Sequence, residues 1–295
     1  MAERIDAHIA EIRNDSVHGA TFLTKKALAA IREAAVAGSQ EKTLRKAALQ
    51  IAAARPMMAS LFNVANGLLF QLDEDAGRDA VIAYCDAFAE SMDRAAASVL
   101  ESGIERIAGA RTVLTHSYSS LVCETLLAAA GRGERFRVVC TESRPGNEGV
   151  ALAERVCKAG IETSLAIDAS AGFMMQRIDL VLLGADGVGR FGLVHKMGTY
   201  PIALAARESQ VPFVSLATSE KFWPAEVRYV SEPSKPSDEI GGKNVCFDAI
   251  NLYFDVTPLR LVDTVVTEES ALEAGGILDL CGSKPLHPLL KKSVG

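Results

Sequence analysis

Polar side chains recur at the ends of short apolar runs between residues 111 and 221 of this chain. Thr112-Val113-Leu114 runs into Thr115-His116-Ser117-Tyr118-Ser119, and Val138-Val139-Cys140 into Thr141-Glu142-Ser143-Arg144-Pro145. Leu165-Ala166-Ile167 ends at Asp168, and Leu180-Val181-Leu182-Leu183 ends in Gly184-Ala185-Asp186-Gly187. Val214-Ser215-Leu216-Ala217 ends in Thr218-Ser219-Glu220-Lys221. Ligands of open parallel α/β sheets bind outside the carboxyl ends of the strands, so the five polar ends are expected to describe one site.

The residue types at these ends suit acid–base and phosphate chemistry. Arg144 precedes Pro145-Gly146-Asn147-Glu148-Gly149 and a helical segment. Backbone N–H groups at a helix start together with a guanidinium fit a phosphate; the other reading is a solvated surface loop. Asp186 emerges from an apolar run between small residues, which suits a general acid or base with a raised pKa. An Asx-turn that stabilises the loop explains it equally well. In His195-Lys196-Met197-Gly198-Thr199, Thr199 is a candidate N-cap for the next helix, whose entry would present N–H groups toward the site, and Lys196 could serve a phosphate or remain solvated. His116 and Ser117 are neighbours in an extended run and should point to opposite faces. A serine hydrolase is disfavoured, because no G-x-S-x-G elbow is present. Neither a GxxxxGKS/T phosphate loop nor a GxGxxG after the first strand occurs, which weighs against a dinucleotide dehydrogenase.

The elements that must carry these residues change character along the chain. The first 108 residues read as successive helices, with alanine-rich, proline-free stretches at 24–37, 42–54 and 75–102, the last capped by Asp73 or Asp75. Arg55-Pro56 interrupts this pattern. From Arg111, short β-rich runs alternate with helical segments at 121–130, 150–159, 172–178 and 202–209. That alternation signals βαβ units and a parallel sheet. The expected fold is α/β: a helical N-terminal domain, 1–108, followed by a Rossmann-like domain with a mainly parallel sheet, 109–295. Residues 219–247, rich in Pro, Ser, Lys and Gly, are expected to form a long functional loop. Strands are expected at 253–256 and 261–266, a helix at 268–274 and a frayed tail at 285–295.

Composition narrows the classes. The chain has 295 residues, 49% of them hydrophobic, and a net charge of −6. Such a chain can bury a core and offers no footprint for direct nucleic-acid binding or an anionic membrane surface. The six cysteines form no CxxC pair or zinc-ligand spacing, and reduced, mostly buried thiols in a cytoplasmic protein are expected. There is no apolar signal segment at the start and no window approaching ~18 consecutive apolar residues. No metal or cofactor is expected.

In order along the chain, Arg55-Pro56 with Asn63, residues 114–119, 141–145 with Gly149, and Asp168-Ala169 resemble one family. The match continues through Gly184-Ala185-Asp186, Lys196-x-Gly198-Thr199, Glu220-Lys221-Phe222 and Phe254-Asp255-Val256-Thr257-Pro258. The family is that of the α, β and δ regulatory subunits of eukaryotic translation initiation factor 2B, which also contains methylthioribose-1-phosphate isomerase and archaeal ribose-1,5-bisphosphate isomerase. The resemblance implies a sugar-phosphate pocket at the strand ends between the two domains, and a homodimer or higher homo-oligomer joined through the second domain. It implies Asp186 as a catalytic residue, with Ser117 standing where the isomerases carry a cysteine. It places His18, Gly19, Ala20, Arg55, His116, Glu142, Arg144, Gly149, Asp168, His195, Lys196 and Lys221 around the substrate. A thiol with a reference pKa near ~8.5 can act as a base, whereas a serine hydroxyl needs activation by a neighbour; His116, His195 and Asp186 are the candidates. His18-Gly19-Ala20 departs from the isomerases' Arg-Gly-Ala and weakens a second phosphate clamp. Two functions follow as alternatives: an isomerase interconverting an aldose 1-phosphate and its ketose, or a non-catalytic regulatory subunit or sugar-phosphate/nucleotide sensor.

Overall fold

In the computed structural model, which describes residues 2–241 and 246–291, five helices come first: α1 (Ala2–Asn14), α2 (Ala20–Val36), α3 (Glu41–Ala54), α4 (Ala59–Glu74) and α5 (Arg78–Ile107). Helix α3 stops just before Arg55-Pro56, as the missing N–H and ring clash of proline require. Gly77 is the N-cap of α5, and its N–H donates to Asp75 Oδ1 at 2.7 Å, so Asp75 shapes the turn from just outside the cap. Helix α5 serves two cores. Its first half buries Val81, Cys85 and Met92 among α1–α4, and its last turns bury Val99, Ile104 and Ile107 against the sheet.

The sheet is built from β1 (Thr112–Thr115), β2 (Arg137–Thr141), β3 (Glu162–Ala166), β4 (Leu180–Leu183), β7 (Phe213–Leu216), β9 (Thr264–Val266) and β10 (Ala271–Leu272), in the order β10-β9-β7-β4-β1-β2-β3. Only the β9–β10 pair is antiparallel. Helices α6 (Ser120–Gly131), α7 (Glu148–Lys158), α8 (Ala171–Met174), α9 (Thr199–Glu208) and α10 (Ala274–Ser283) cover its faces. Alternation within each strand divides the core: Val113, Val138, Leu180 and Leu182 face α5–α7, while Leu114, Val139, Val181 and Leu183 face α8–α10. The chain is thus α/β with a mostly parallel sheet.

Several expectations are corrected. Residues 254–257 form a strand, β8 (Phe254–Thr257), but it joins the hairpin β5 (Gly187–Gly189) and β6 (Gly192–Lys196) in a separate antiparallel sheet, order β5-β6-β8. The expected helix at 268–274 is displaced: Ala271–Leu272 pairs with β9, and the helix runs from Ala274 to Ser283. The segment 219–247 is largely irregular, with its residues 242–245 outside the described ones, yet its start is core: Phe222, Trp223 and Val227 are buried. The tail expected to fray from 285 is docked as far as residue 291, 292–295 lying outside the described residues. Leu286 and Leu290 enter the core of α1–α5. Asn66 Nδ2 donates to the Pro285 carbonyl, and His287 N–H to Asn66 Oδ1, each at 2.9 Å. Helix α11 (Pro288–Lys291) ends this strap.

Candidate functional site

A cleft of about 270 Å³ opens where the ends of β1 and β4 meet the α1–α2 connector and the β6–β8 sheet. Asp186 leaves β4 in a loop stitched down on both sides. Its N–H donates to the Val194 carbonyl at 2.9 Å, and its carbonyl accepts the Ala59 N–H at 3.0 Å. The side chain reaches His195 on β6, with Oδ2 3.0 Å from Nδ1. Gly187 lets this loop pass Trp223, whose ring would lie 2.2 Å from an added Cβ.

Lys196 follows on β6 and is 4% exposed. Burial of an ammonium requires a partner, and Glu148 at the start of α7 supplies Oε1 at 2.6 Å. The Lys196 Nζ also lies 4.9 Å from the centre of the Tyr253 ring. Glu148 Oε2 is buried without a hydrogen-bond partner. Lys221 enters from the segment after β7 and donates to the Ala185 carbonyl at 2.8 Å. Arg55 donates from Nη2 to the Asp15 carbonyl at 2.6 Å, pinning the α1–α2 connector that forms the mouth. Within that connector His18 bonds Asp15 Oδ2 at 2.9 Å and stacks on Phe22 at 3.9 Å. Gly19 caps α2, Ala20 begins it, and both line the cleft.

Ser117 lines the cleft and His116 does not. Strand alternation does not set their directions: Ser117 is in the left-handed region, φ +66°, so the strand has already ended there. The turn is held by Ser143 Oγ, which accepts the Ser117 N–H at 2.6 Å. His116, 1% exposed, lies beneath. Its Nε2–H meets the Met197 carbonyl at 2.9 Å, and Nδ1 accepts from the Thr141 hydroxyl at 2.5 Å. Burial and, after it, the charge of His195 push the imidazole down to about 4.

Four more expected substrate residues lie off the cleft lining. Glu142 is half-buried, with its N–H on the Ala166 carbonyl. Arg144 is exposed and reaches the Glu239 carbonyl at 3.4 Å. Asp168 is turned onto the β2 loop, accepting the Ser143 and Arg144 N–H groups at 2.7 Å each. Gly149 is a packing glycine, where a Cβ would stand 1.8 Å from the Thr141 carbonyl oxygen. The five strand ends therefore do not converge: β1 and β4, central in the sheet, reach the cleft directly, whereas the ends of β2 and β3 bond each other beside it.

Thr199 is not the N-cap of α9. Gly198 is, at φ +109°, and the N–H groups expected to face a ligand are occupied: Asp255 Oδ2 accepts from Gly198 at 2.9 Å and from Tyr200 at 3.0 Å. Burial raises the Asp255 carboxyl to about 6, against the pull of these bonds. Glu148 and Tyr253 join the site without a clear mark in the sequence. Glu148 carried a weak signal as the acidic residue opening a helix after Pro145-Gly146-Asn147. Tyr253 carried none, since it arrives through the β6–β8 pairing.

Arg55, Lys196 and Lys221 oppose Glu148 and Asp186 in this cleft, leaving one net positive charge when its histidines are neutral. Such a site can hold an anionic ligand against a carboxylate–imidazole pair.

Comparisons with known proteins show the family and the fold. Residues 15–274 match the model of the initiation factor 2 subunit family. Ribose 1,5-bisphosphate isomerase of Methanocaldococcus jannaschii is 31% identical over 278 residues, 90% of each chain. The crystal structure of the Pyrococcus horikoshii translation initiation factor eIF-2B superposes with TM-score 0.80 at 30% identity, over 92% of this chain and 97% of the other. 5-Methylthioribose 1-phosphate isomerase of the same organism shares the fold at TM-score 0.73 and 21% identity, over 94% and 87%. The chain belongs to the initiation factor 2 subunit family.

Proposed function

We propose that this protein interconverts an aldose 1-phosphate, of the ribose 1,5-bisphosphate or methylthioribose 1-phosphate type, and its ketose. The observation that carries this reading is the Asp186–His195 pair facing one small cleft with Arg55, Lys196 and Lys221. The similarity to a relative named ribose 1,5-bisphosphate isomerase supports it. In net terms the hydrogen on C2 moves to C1, the ring oxygen gains a proton and the C2 hydroxyl gives one up. The site must therefore supply a proton donor and an acceptor. Asp186 handles proton transfer, the basic side chains and backbone N–H groups hold the phosphate, and Ser117 occupies the remaining wall near the reacting carbons. Following ³¹P NMR of a panel of sugar 1-phosphates tests this: wild type converts at least one, and Asp186→Asn abolishes the conversion.

Ser117 favours a second reading, a non-catalytic sugar-phosphate or nucleotide sensor, since a hydroxyl is a poor base. That reading expects ligand-dependent thermal stabilisation without turnover, and no activity gained on Ser117→Cys. We further propose a division near residue 109 into a helical and an α/β domain, with the strap 285–291 returning to the first. The chain is expected in the cytoplasm as a homodimer through the α/β part. Among the described residues β3 is an edge strand, and it is followed by Ile167 and Phe173 at 60% and 78% exposure, which supports such a contact. Sedimentation velocity at micromolar concentration distinguishes dimer from monomer.

A further inference from the structure

A second cavity, of about 480 Å³, adjoins the cleft and is walled by the α3–α4 turn and residues 227–235. Protein interiors hold few voids larger than a water, whereas organic-ligand sites run from ~300 to ~1,000 Å³. Aromatic rings dominate the walls: Phe62, Phe191, Trp223, Tyr229 and Phe254. The Phe191 ring lies 5.3 Å from Trp223 and 5.9 Å from Tyr229. Polar anchors hold the wall in place without filling the space. The Glu232 carboxylate, 7% exposed, accepts the N–H groups of Tyr253 at 2.6 Å and Phe254 at 3.1 Å. The Lys235 N–H donates to the Asn251 carbonyl at 2.7 Å.

The charges lining this cavity are unbalanced. Arg13, Arg55, Arg228 and Lys235 stand against the single carboxylate of Glu232. Lys235 takes that carboxylate, with Nζ 3.0 Å from Oε2. None of the ion pairs among the described residues involves Arg13 or Arg228, and Arg55 keeps its Nε buried without a hydrogen-bond partner. A neutral apolar ligand would cover these guanidinium groups without compensation. A bare sugar phosphate would leave its hydroxyls against aromatic faces. An aromatic or branched apolar body carrying one anionic group satisfies both parts of the lining.

We propose that this cavity is a second ligand site, for a small organic acid of that kind, and that its occupation weakens ligand binding in the cleft. Arg55 and Phe254 are walls of both spaces. Arg55 holds the α1–α2 connector through the Asp15 carbonyl, so an anion that draws the guanidinium away loosens the mouth of the cleft. Tyr253 takes a lysine of each space against its ring, Lys196 Nζ at 4.9 Å and Lys235 Nζ at 5.1 Å. An added negative charge here also repels an anion in the cleft. Both effects have the same sign, and by linkage a sugar phosphate weakens binding of the acid by the same factor. The site itself stands apart from the isomerase reading; the coupling rests on that reading's sugar phosphate in the cleft.

1-Anilinonaphthalene-8-sulfonate, an aromatic body with one sulfonate, probes the site in the full-length protein. Trp223 is the chain's single tryptophan, so energy transfer from it reports binding at the cavity. The expected result is one probe per chain with Trp223 emission quenched. The neutral N-phenyl-1-naphthylamine should bind about fivefold more weakly, lacking the charge-assisted contact. Ala53→Phe, which fills the cavity from an exposed position on α3, should weaken the sulfonate probe about tenfold. Arg228→Gln, on the exposed rim, should weaken it about threefold. Binding without Trp223 quenching, or unmoved by both variants, overturns the site, and equal affinity for the neutral probe overturns its anionic ligand. Dissociation of a dimer as the probe binds would assign the cavity to a second copy of the chain and overturn the site as well. With saturating ribose 1,5-bisphosphate the probe's Kd should rise to a plateau about fivefold higher. An unchanged Kd overturns the coupling, and a rise without limit shows a single shared site. A protein that binds no sugar phosphate refutes the coupling and the sugar-phosphate reading of the cleft together, while the two variants still decide the second site.

Discussion

Acidification should expose His116 as a concealed liability of the fold. Its ring is buried, satisfied as the neutral tautomer between Met197 and Thr141, and held to about 4 against an ordinary 6.5. Because the folded value is depressed, its contribution to stability is complete above pH 6.5 and is lost as pH falls through 6.5 towards 4. Between pH 7.5 and 4.5 this amounts to about 2.5 kcal/mol, roughly 1.4 kcal/mol for each pH unit across which only the unfolded chain binds the proton. His116→Gln removes the titration while keeping an amide to bond nearby. Urea unfolding of both proteins at the two pH values reads the effect. The variant should be the less stable at pH 7.5, by ~2 kcal/mol for the lost buried hydrogen bonds, and the gap should close or reverse at pH 4.5. A gap that stays constant between the two pH values would refute the assignment of His116 as a desolvated neutral imidazole.

Other perturbations test separate parts of the structure. Asp255 has the opposite sign: its folded carboxyl is raised to about 6 from 3.8, so its contribution is present below pH 4 and lost as pH rises through 6. Asp255→Asn should therefore gain stability relative to wild type on going from pH 4 to 7, by about 2 kcal/mol, measured by the same unfolding series; a flat difference contradicts it. Gly149→Ala should destabilise by ~3 kcal/mol or more, because the obstructing Thr141 carbonyl is backbone and cannot yield cheaply; an unchanged melting temperature would remove it from the packing of α7 on β2. Asn66→Ala orphans the buried partners of the strap and should cost ~2 kcal/mol. Hydrogen exchange should then rise first in residues 285–291, and protection unchanged there would count against the docking.

Periodicity made the frame legible: helices up to Ile107, then strands whose apolar runs alternate between the two faces of one sheet. It also brought Ser117 and Asp186 to a common cleft, because β1 and β4 are neighbours in the sheet and their ends open to the same side; His195 and Lys196 arrive instead on β6 of the second sheet, which the periodicity does not show. Arg144 and Asp168 looked equivalent in sequence, yet the Asp168 carboxylate is spent on the backbone of the β2 loop and keeps that loop beside the cleft. The start of α9 looked like an open set of donors; Asp255, more than fifty residues later, closes it. Tyr253 is illegible for the same reason and Glu148 nearly so, since their place depends on pairings of distant segments that no local pattern encodes. Docking of the tail through Leu286 and Leu290 is a long-range contact of this kind.

The central claim is most directly tested by incubating the purified full-length protein with ribose 1,5-bisphosphate, methylthioribose 1-phosphate and ribose 1-phosphate, and following each by ³¹P and ¹³C NMR. The account expects at least one to give its ketose with wild type and none with Asp186→Asn, the variant remaining folded by thermal unfolding. A wild-type protein that binds these sugar phosphates yet converts none of them would contradict it.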